Sequence, residues 1–205
     1  SKPDATPYSP FKYYPVRNPG QWEIKKSGAG IRFIQRLQDE SYGYQYEKDL
    51  ELVKGKPELL LIHRLKNAGK KTIETEVFDH NFFLLNMRPP GPGLVLSFPF
   101  DLSADQARGL GDIADLRGDS ITVLRQPAAR ESVYAELHGY GETEKDYDIL
   151  LQNRITGIGV RIRCDRPLSR LVFWGSSTIL CPEPYIRVKV LPGETFRWTI
   201  KYDLH

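Results

Sequence analysis

The sequence predicts an all-β protein, an antiparallel sandwich or barrel. Three observations carry that prediction. Short segments with alternating apolar and polar residues recur along the chain, about a dozen of them, each closed by turn residues. No helical stretch of crossover length separates them, so a parallel α/β sheet is not expected. The chain has 205 residues, 40% of them hydrophobic, enough for one large core. No repeat period or linker divides it, so residues 1–205 are expected to form a single domain.

Residues 1–20 hold five prolines and three tyrosines and read as an irregular lead-in with one edge strand. Residues 21–26 alternate into the turn Ser27-Gly28-Ala29-Gly30. Strands are expected over 31–38, 44–53 and 58–66, the last closed by the turn Asn67-Ala68-Gly69-Lys70. Residues 71–86 read as one long strand. Its even positions place Glu74, Glu76, Phe78, His80 and Phe82 on one face, and its odd positions place Ile73, Thr75, Val77 and Phe83 on the other. Neither face is cleanly apolar, as expected for the wall of a polar cleft. A strand over 94–100 ends near Pro99. Residues 103–118 break the pattern: Ser103 suits a helix cap, and Gly109 and Gly111 interrupt any helix that starts there. This predicts a surface insertion with a turn or two of helix. Strands resume at 120–124, 132–138, 147–153, 158–164, 170–174 and 185–190. A final strand over 194–202 comes after the turn Leu191-Pro192-Gly193.

Composition removes several function classes. The net charge of +3 is spread over interspersed acids and bases, so no nucleic-acid partner is expected. No apolar run approaches the roughly 20 residues of a membrane helix. The first residues lack a signal-peptide pattern and an initiator Met, so the start can be a processed or trimmed end. Cys164 and Cys181 lie in different expected strands and lack zinc-site spacing. They leave both a disulfide and two free thiols open, and with them a cytoplasmic, periplasmic or secreted location.

Of the four histidines, His205 is the last residue, and His138 closes a strand before Gly139. His63 shares a strand face with Leu59, Leu61 and Leu65 and reads as a satisfied core histidine. His80 differs, because it sits at a strand end between Asp79 and Asn81. Its imidazole titrates near neutrality and can give or take a proton. Asp79 and Asn81 fall on the face opposite His80 and are expected to be structural. A second constellation is Cys181-Pro182-Glu183-Pro184-Tyr185. Its two prolines are expected to keep Glu183 out of a hydrogen-bonded ladder and to hold it extended. There it could serve as a base at a cleft.

Together these stretches resemble the aldose 1-epimerase (galactose mutarotase-like) superfamily. The resemblance runs in order over residues 43–204. It rests on Asp79-His80-Asn81-Phe82-Phe83, then on Cys181-Pro182-Glu183-Pro184-Tyr185, and then on the Pro192-Gly193-Glu194 turn with its final aromatic strand. It implies an antiparallel β-supersandwich. It also implies that His80 is the general acid and Glu183 the general base in the interconversion of α and β anomers of a hexose, with no metal and no cofactor. Carbohydrate is the implied partner. Trp174 and Tyr185, near Glu183 in sequence, are candidates to contact the sugar, and Asp148 or Asp146 is the candidate for the family's sugar-contacting aspartate. Family enzymes are longer at the N-terminus, where they carry a further Arg and a second His. Arg17, Arg32 and Arg36 do not sit in that motif, so the domain is expected to lack an N-terminal segment. Two other readings accompany this one: a non-catalytic carbohydrate-binding domain of the same fold, and a sandwich interaction domain of a larger polysaccharide-acting protein. The last predicts that the face carrying His80 is covered.

Overall fold

The computed structural model describes residues 9, 12–16, 18–39 and 41–205. Two antiparallel sheets face each other. The larger has ten strands in the order β1-β2-β3-β4-β15-β12-β11-β6-β9-β8. Its first four strands, β1 (Gln21–Ser27), β2 (Gly30–Leu37), β3 (Tyr44–Leu52) and β4 (Glu58–Asn67), form a meander. The smaller sheet contains β5 (Ile73–Phe78), β7 (Ser103–Arg108), β10 (Ser132–His138), β13 (Arg170–Ser176) and β14 (Leu180–Val190), in the order β5-β14-β13-β10-β7. The remaining strands of the large sheet are β6 (Leu94–Ser97), β8 (Ala114–Arg117), β9 (Ser120–Val123), β11 (Asp148–Asn153), β12 (Gly159–Cys164) and β15 (Thr195–Leu204). Every strand pairing is antiparallel. Among the described residues no helix is long and apolar enough to cross a membrane.

Alternation decides which side of each sheet faces the core. In β10, Val133, Ala135 and Leu137 are buried, while Tyr134, Glu136 and His138 are only partly so. In β14, Ile186, Val188 and Val190 point inward, and Arg187 and Lys189 outward. Leu171 and Phe173 of the small sheet meet Leu96, Ile121, Ile149, Leu151 and Ile162 of the large one in a single hydrophobic core. Each fully buried aliphatic or aromatic side chain contributes about 1.5–3 kcal/mol relative to exposure. The small sheet therefore has one dry face and one face free to carry chemistry.

The expected strands from residue 21 onward all form, with three corrections. Residues 103–118 are not a helical surface insertion. Ser103–Arg108 is an edge strand of the small sheet, and Ala114–Arg117 is the last strand of the large one. Gly109 and Gly111 take positive φ values of 75° and 83°, a conformation a helix excludes. Ile113 and Ala114 beyond them are fully buried. Second, the strand expected over 71–86 stops at Phe78. Third, β14 begins at Leu180 and runs through both prolines. Most of the lead-in where an edge strand is expected lies outside the described residues; those of residues 9–20 that are described form no strand. Cys164 and Cys181 are two free, buried thiols.

Candidate functional site

The place where β5 stops is set by the two prolines opposite it. β5 pairs with β14 from Ile73 opposite Val190 to Phe78 opposite Tyr185. Leu180 exchanges backbone hydrogen bonds with Phe83 at 2.8 and 3.1 Å, whereas the Tyr185 carbonyl accepts from Ser169 at the start of β13. Backbone polar groups of an antiparallel strand alternate between its two neighbours. Positions 180, 182 and 184 therefore direct theirs toward the β5 side, and 181, 183 and 185 toward β13. Pro182 and Pro184 lack the donors that a longer β5 would need. The chain leaves the ladder at Asp79 and rejoins it only at the Phe83–Leu180 bridge. Asn81 closes the gap with its side chain. Its Nδ2 donates to the Pro182 carbonyl at 3.1 Å, and its Oδ1 accepts from the Tyr202 hydroxyl at 2.7 Å.

This corrects the expectation for Glu183. The prolines do not remove it from a ladder: it sits inside β14 opposite Val172 of β13. The missing N–H groups lie on the other edge, so Glu183 is held by a regular strand on one side and covered by the 79–83 arch on the other.

The arch carries His80 over the outward face of β14. Its Nε2 lies 3.5 Å from Glu183 Oε1 and its Nδ1 lies 2.8 Å from Cys181 Sγ. Phe82 packs against the imidazole at 4.1 Å between centroids, tilted by 34°, and Phe78 and Trp174 stand at 5.8 and 6.4 Å. Tyr185 stacks on Phe78 at 4.4 Å. The His80 side chain is 43% exposed and that of Glu183 12%, so the acid is sheltered and the imidazole reaches solvent. Burial first, and then the Glu183 charge, push the Cys181 thiol well above the usual range, so it stays an S–H. Beside them, Arg170 grips Glu136 with two bonds of 2.9 and 3.0 Å and lies over the Tyr185 ring.

The donor atoms of His80, Cys181 and Glu183 lie within 4.8 Å of one another, as metal ligands do. The imidazole, however, presents Nδ1 to the thiol and Nε2 to the carboxylate. One ion takes one ring nitrogen and leaves the other to its neighbour, so the cluster has the ligand types and spacing for a cation, and with both ring nitrogens engaged the same contacts are also suited to passing a proton.

Four of the expected site residues, His80, Glu183, Trp174 and Tyr185, share this face. Asp148 does not. It lies on β11 of the other sheet, next to the inward Ile149, and is held by Arg161 through two bonds of 2.6 Å. Asp146 caps the turn at Thr143. Asp79 and Asn81 point inward, as strand alternation implies. The sequence reading gives Cys181, Phe82 and Arg170 no role of their own at the site. Cys181 is legible as the residue two before Glu183 on the same strand face. Arg170 reaches the site only through its pairing with Tyr185, which nothing in the sequence signals. His63 is buried but not fully satisfied. Its Nδ1 meets the Tyr46 hydroxyl at 2.7 Å, and its Nε2 has no partner among the described residues.

No family model matches the sequence, and no curated protein matches it. Its structure does match solved ones. A galactose mutarotase related enzyme from Lactobacillus acidophilus superposes with a TM-score of 0.64 at 14% identity, over 91% of this chain and 71% of that one. An aldose epimerase homologue from C. elegans gives 0.65 at 13%, over 90% and 68%. A galactose mutarotase-like protein from Lactobacillus casei gives 0.62 at 13%, over 90% and 73%. At such identities the match establishes the galactose mutarotase-like fold.

Proposed function

We propose that this galactose mutarotase-like domain binds a hexose on the outer face of its small sheet and interconverts the α and β anomers. One observation carries the reading: His80 Nε2 and Glu183 Oε1 stand 3.5 Å apart on one partly open face. An acid and a base that close can serve two oxygens bonded to the same anomeric carbon.

Glu183 accepts the proton of the C1 hydroxyl as the C1–O1 bond becomes a carbonyl. The C1–O5 bond breaks, its electron pair goes to O5, and His80, which starts the cycle as the imidazolium, delivers the Nε2 proton there and is left neutral. The open aldehyde rotates about C1–C2. Closure reverses both transfers, so the enzyme ends in its starting protonation state. Cys181 at Nδ1 fixes the ring so that Nε2 faces the sugar. Trp174, Phe78 and Phe82 offer flat apolar surface to a pyranose, and Arg170, Glu136 and Tyr185 offer hydrogen-bonding groups along the same face. The reading is tested by polarimetric relaxation of freshly dissolved α-glucose and α-galactose. Wild type accelerates it, and His80→Ala and Glu183→Gln each remove about 10²–10⁴ of the acceleration. Acceleration that survives both substitutions defeats the mechanism.

A second reading, carbohydrate binding without turnover, draws on the exposure of His80, which leaves the reacting groups on a shallow face rather than in a closed pocket. It predicts calorimetric sugar binding with no change in relaxation rate.

A further inference from the structure

Among the described residues, one group of histidine, cysteine and carboxylate side chains converges closely enough to hold a metal ion: His80, Cys181 and Glu183, with donor atoms within 4.8 Å of one another. We propose that this cluster binds one Zn²⁺ ion, and that the bound ion silences the outer face by occupying the groups that would move protons there. The binding stands on its own geometry; only the silencing rests on the mutarotase reading.

Cys181 and Glu183 are two residues apart on β14 and project from the same side of the sheet. Their backbones are fixed by pairing with Trp174 and Val172 of β13, so two ligands stand ready on a rigid strand and the third comes from the arch. Two donors on one tetrahedral zinc stand roughly 3.4–3.6 Å apart, given bonds of about 2.0–2.2 Å to nitrogen or oxygen and about 2.3 Å to sulfur. The 3.5 Å between His80 Nε2 and Glu183 Oε1 already has that value. Cys181 Sγ lies under the imidazole, 2.8 Å from Nδ1, so His80 itself covers the thiol. A turn of the ring opens Sγ to the solvent side and brings one nitrogen between sulfur and carboxylate. His80 is the ligand free to turn, because its side chain is 43% exposed and its backbone has left the ladder.

The ligand types select the ion. One sulfur, one imidazole nitrogen and one carboxylate suit zinc, whereas calcium and magnesium take shells of oxygen. Without metal the Cys181 thiol keeps its proton. A coordinating thiol loses it, so the proton leaves to solvent as the Zn–S bond forms, and the imidazole binds as the neutral ring. Thiolate and carboxylate together then cancel the charge of the ion, which suits a site whose two strand ligands are sheltered. Three protein ligands leave a fourth position for water on the solvent side. In this state the His80 nitrogen and the Glu183 oxygen are both committed to the metal, so neither can give or take a proton of a sugar.

The test is isothermal titration calorimetry of chelator-treated protein with zinc chloride, without sugar, followed by the absorption spectrum of the protein loaded with Co²⁺. Wild type binds one zinc per chain saturably, calcium chloride does not match it, and cobalt shows a thiolate-to-metal charge-transfer band. His80→Ala and Glu183→Gln each weaken zinc about 10- to 100-fold or more. Cys181→Ser weakens it likewise and removes the band. His138→Ala, which deletes the other part-exposed histidine of this sheet face, leaves zinc affinity unchanged. Where wild type accelerates anomer relaxation, saturating zinc stops the acceleration and EDTA restores it. The site is overturned if zinc shows no saturable binding, if calcium binds as tightly, if folded His80→Ala and Glu183→Gln keep wild-type affinity, or if the cobalt band survives Cys181→Ser. The silencing is overturned if zinc-saturated protein anomerises at the metal-free rate. A protein that binds zinc and never anomerises removes the mutarotase reading and keeps the site, and one that anomerises and ignores zinc does the reverse.

Discussion

Asp79 and His80 are adjacent, yet they face two environments that treat proton chemistry in opposite ways. Outward, His80 lies against a carboxylate and a thiol and keeps access to water. Inward, Asp79 lines a cavity of about 390 Å³ together with His63, which is stacked on Trp198 and hydrogen-bonded to the Tyr46 hydroxyl. The two histidines show what the difference teaches. An imidazole becomes an acid–base group when a charged partner and solvent let it change protonation state. Low-dielectric surroundings lock the same ring as a neutral hydrogen-bonding wall. The largest expected effect separates the two faces. His80→Ala or Glu183→Gln costs about 10²–10⁴ in anomerisation rate, whereas His63→Phe leaves the rate at its wild-type value. Polarimetry on the three variants breaks the comparison if His63→Phe is as damaging as the others.

The two faces are held in register by Asn81, so the next effect is on stability. Asn81→Ala leaves the Pro182 carbonyl and the Tyr202 hydroxyl unpaired in a buried position. That is expected to cost about 2–3 kcal/mol, read as a lower urea midpoint with unchanged slope. Asn81→Asp keeps the acceptor for Tyr202 but loses the donor to Pro182, and falls between the two.

A smaller effect distinguishes the inner histidine by pH. Burial depresses the folded His63 pKa to about 3, while the unfolded ring titrates near 6.5. Between those values the unfolded chain binds a proton that the native protein does not. Stability therefore falls as pH drops from about 6.5 toward 3, by up to about 1 kcal/mol per unit for this one group. Lys48, on the same strand as Tyr46, adds to the depression, and Asp49 opposes it. Asp79, raised by burial, contributes the opposite slope. Urea unfolding of wild type and His63→Phe between pH 4 and 7 isolates the difference. Parallel stability curves for the two proteins would show that His63 titrates normally.

Much of this was open to reading in the chain itself, and the limits are physical. Alternation specifies strands such as Ser132–His138 without help, because half of the residues must enter a core and half must not. It also places Asp79 and His80 on opposite faces. The prolines beside Glu183 signal a break in pairing, but a proline interrupts only the edge to which its N–H would point, and the register that decides the edge is a tertiary fact. Residues 103–118 mislead for a related reason: short edge strands are mostly exposed and need little apolar alternation, so Ala, Asp and Gln suit them as well as a helix. The cavity is illegible because it is made where Tyr46, His63, Asp79 and Trp198 meet from four separate segments.

The smallest effect falls on Cys181, the contact between arch and sheet. Its thiol is fully buried and kept protonated by burial and by Glu183, so it acts neither as a nucleophile nor as a charge. What it offers His80 is one weak hydrogen bond at Nδ1, 2.8 Å away. That bond decides which ring nitrogen faces Glu183. Cys181→Ala should therefore lower kcat only about three- to tenfold, in line with the loss of one hydrogen bond, and leave KM nearly unchanged because no sugar contact is lost. Cys181→Ser restores a donor and acceptor at the same place and should recover most of the rate. A structural role alone predicts a different pattern, in which both variants lose stability together and the pH profile keeps its shape. If Nδ1 orientation is what matters, Cys181→Ala shifts the acid limb of the profile and Cys181→Ser returns it.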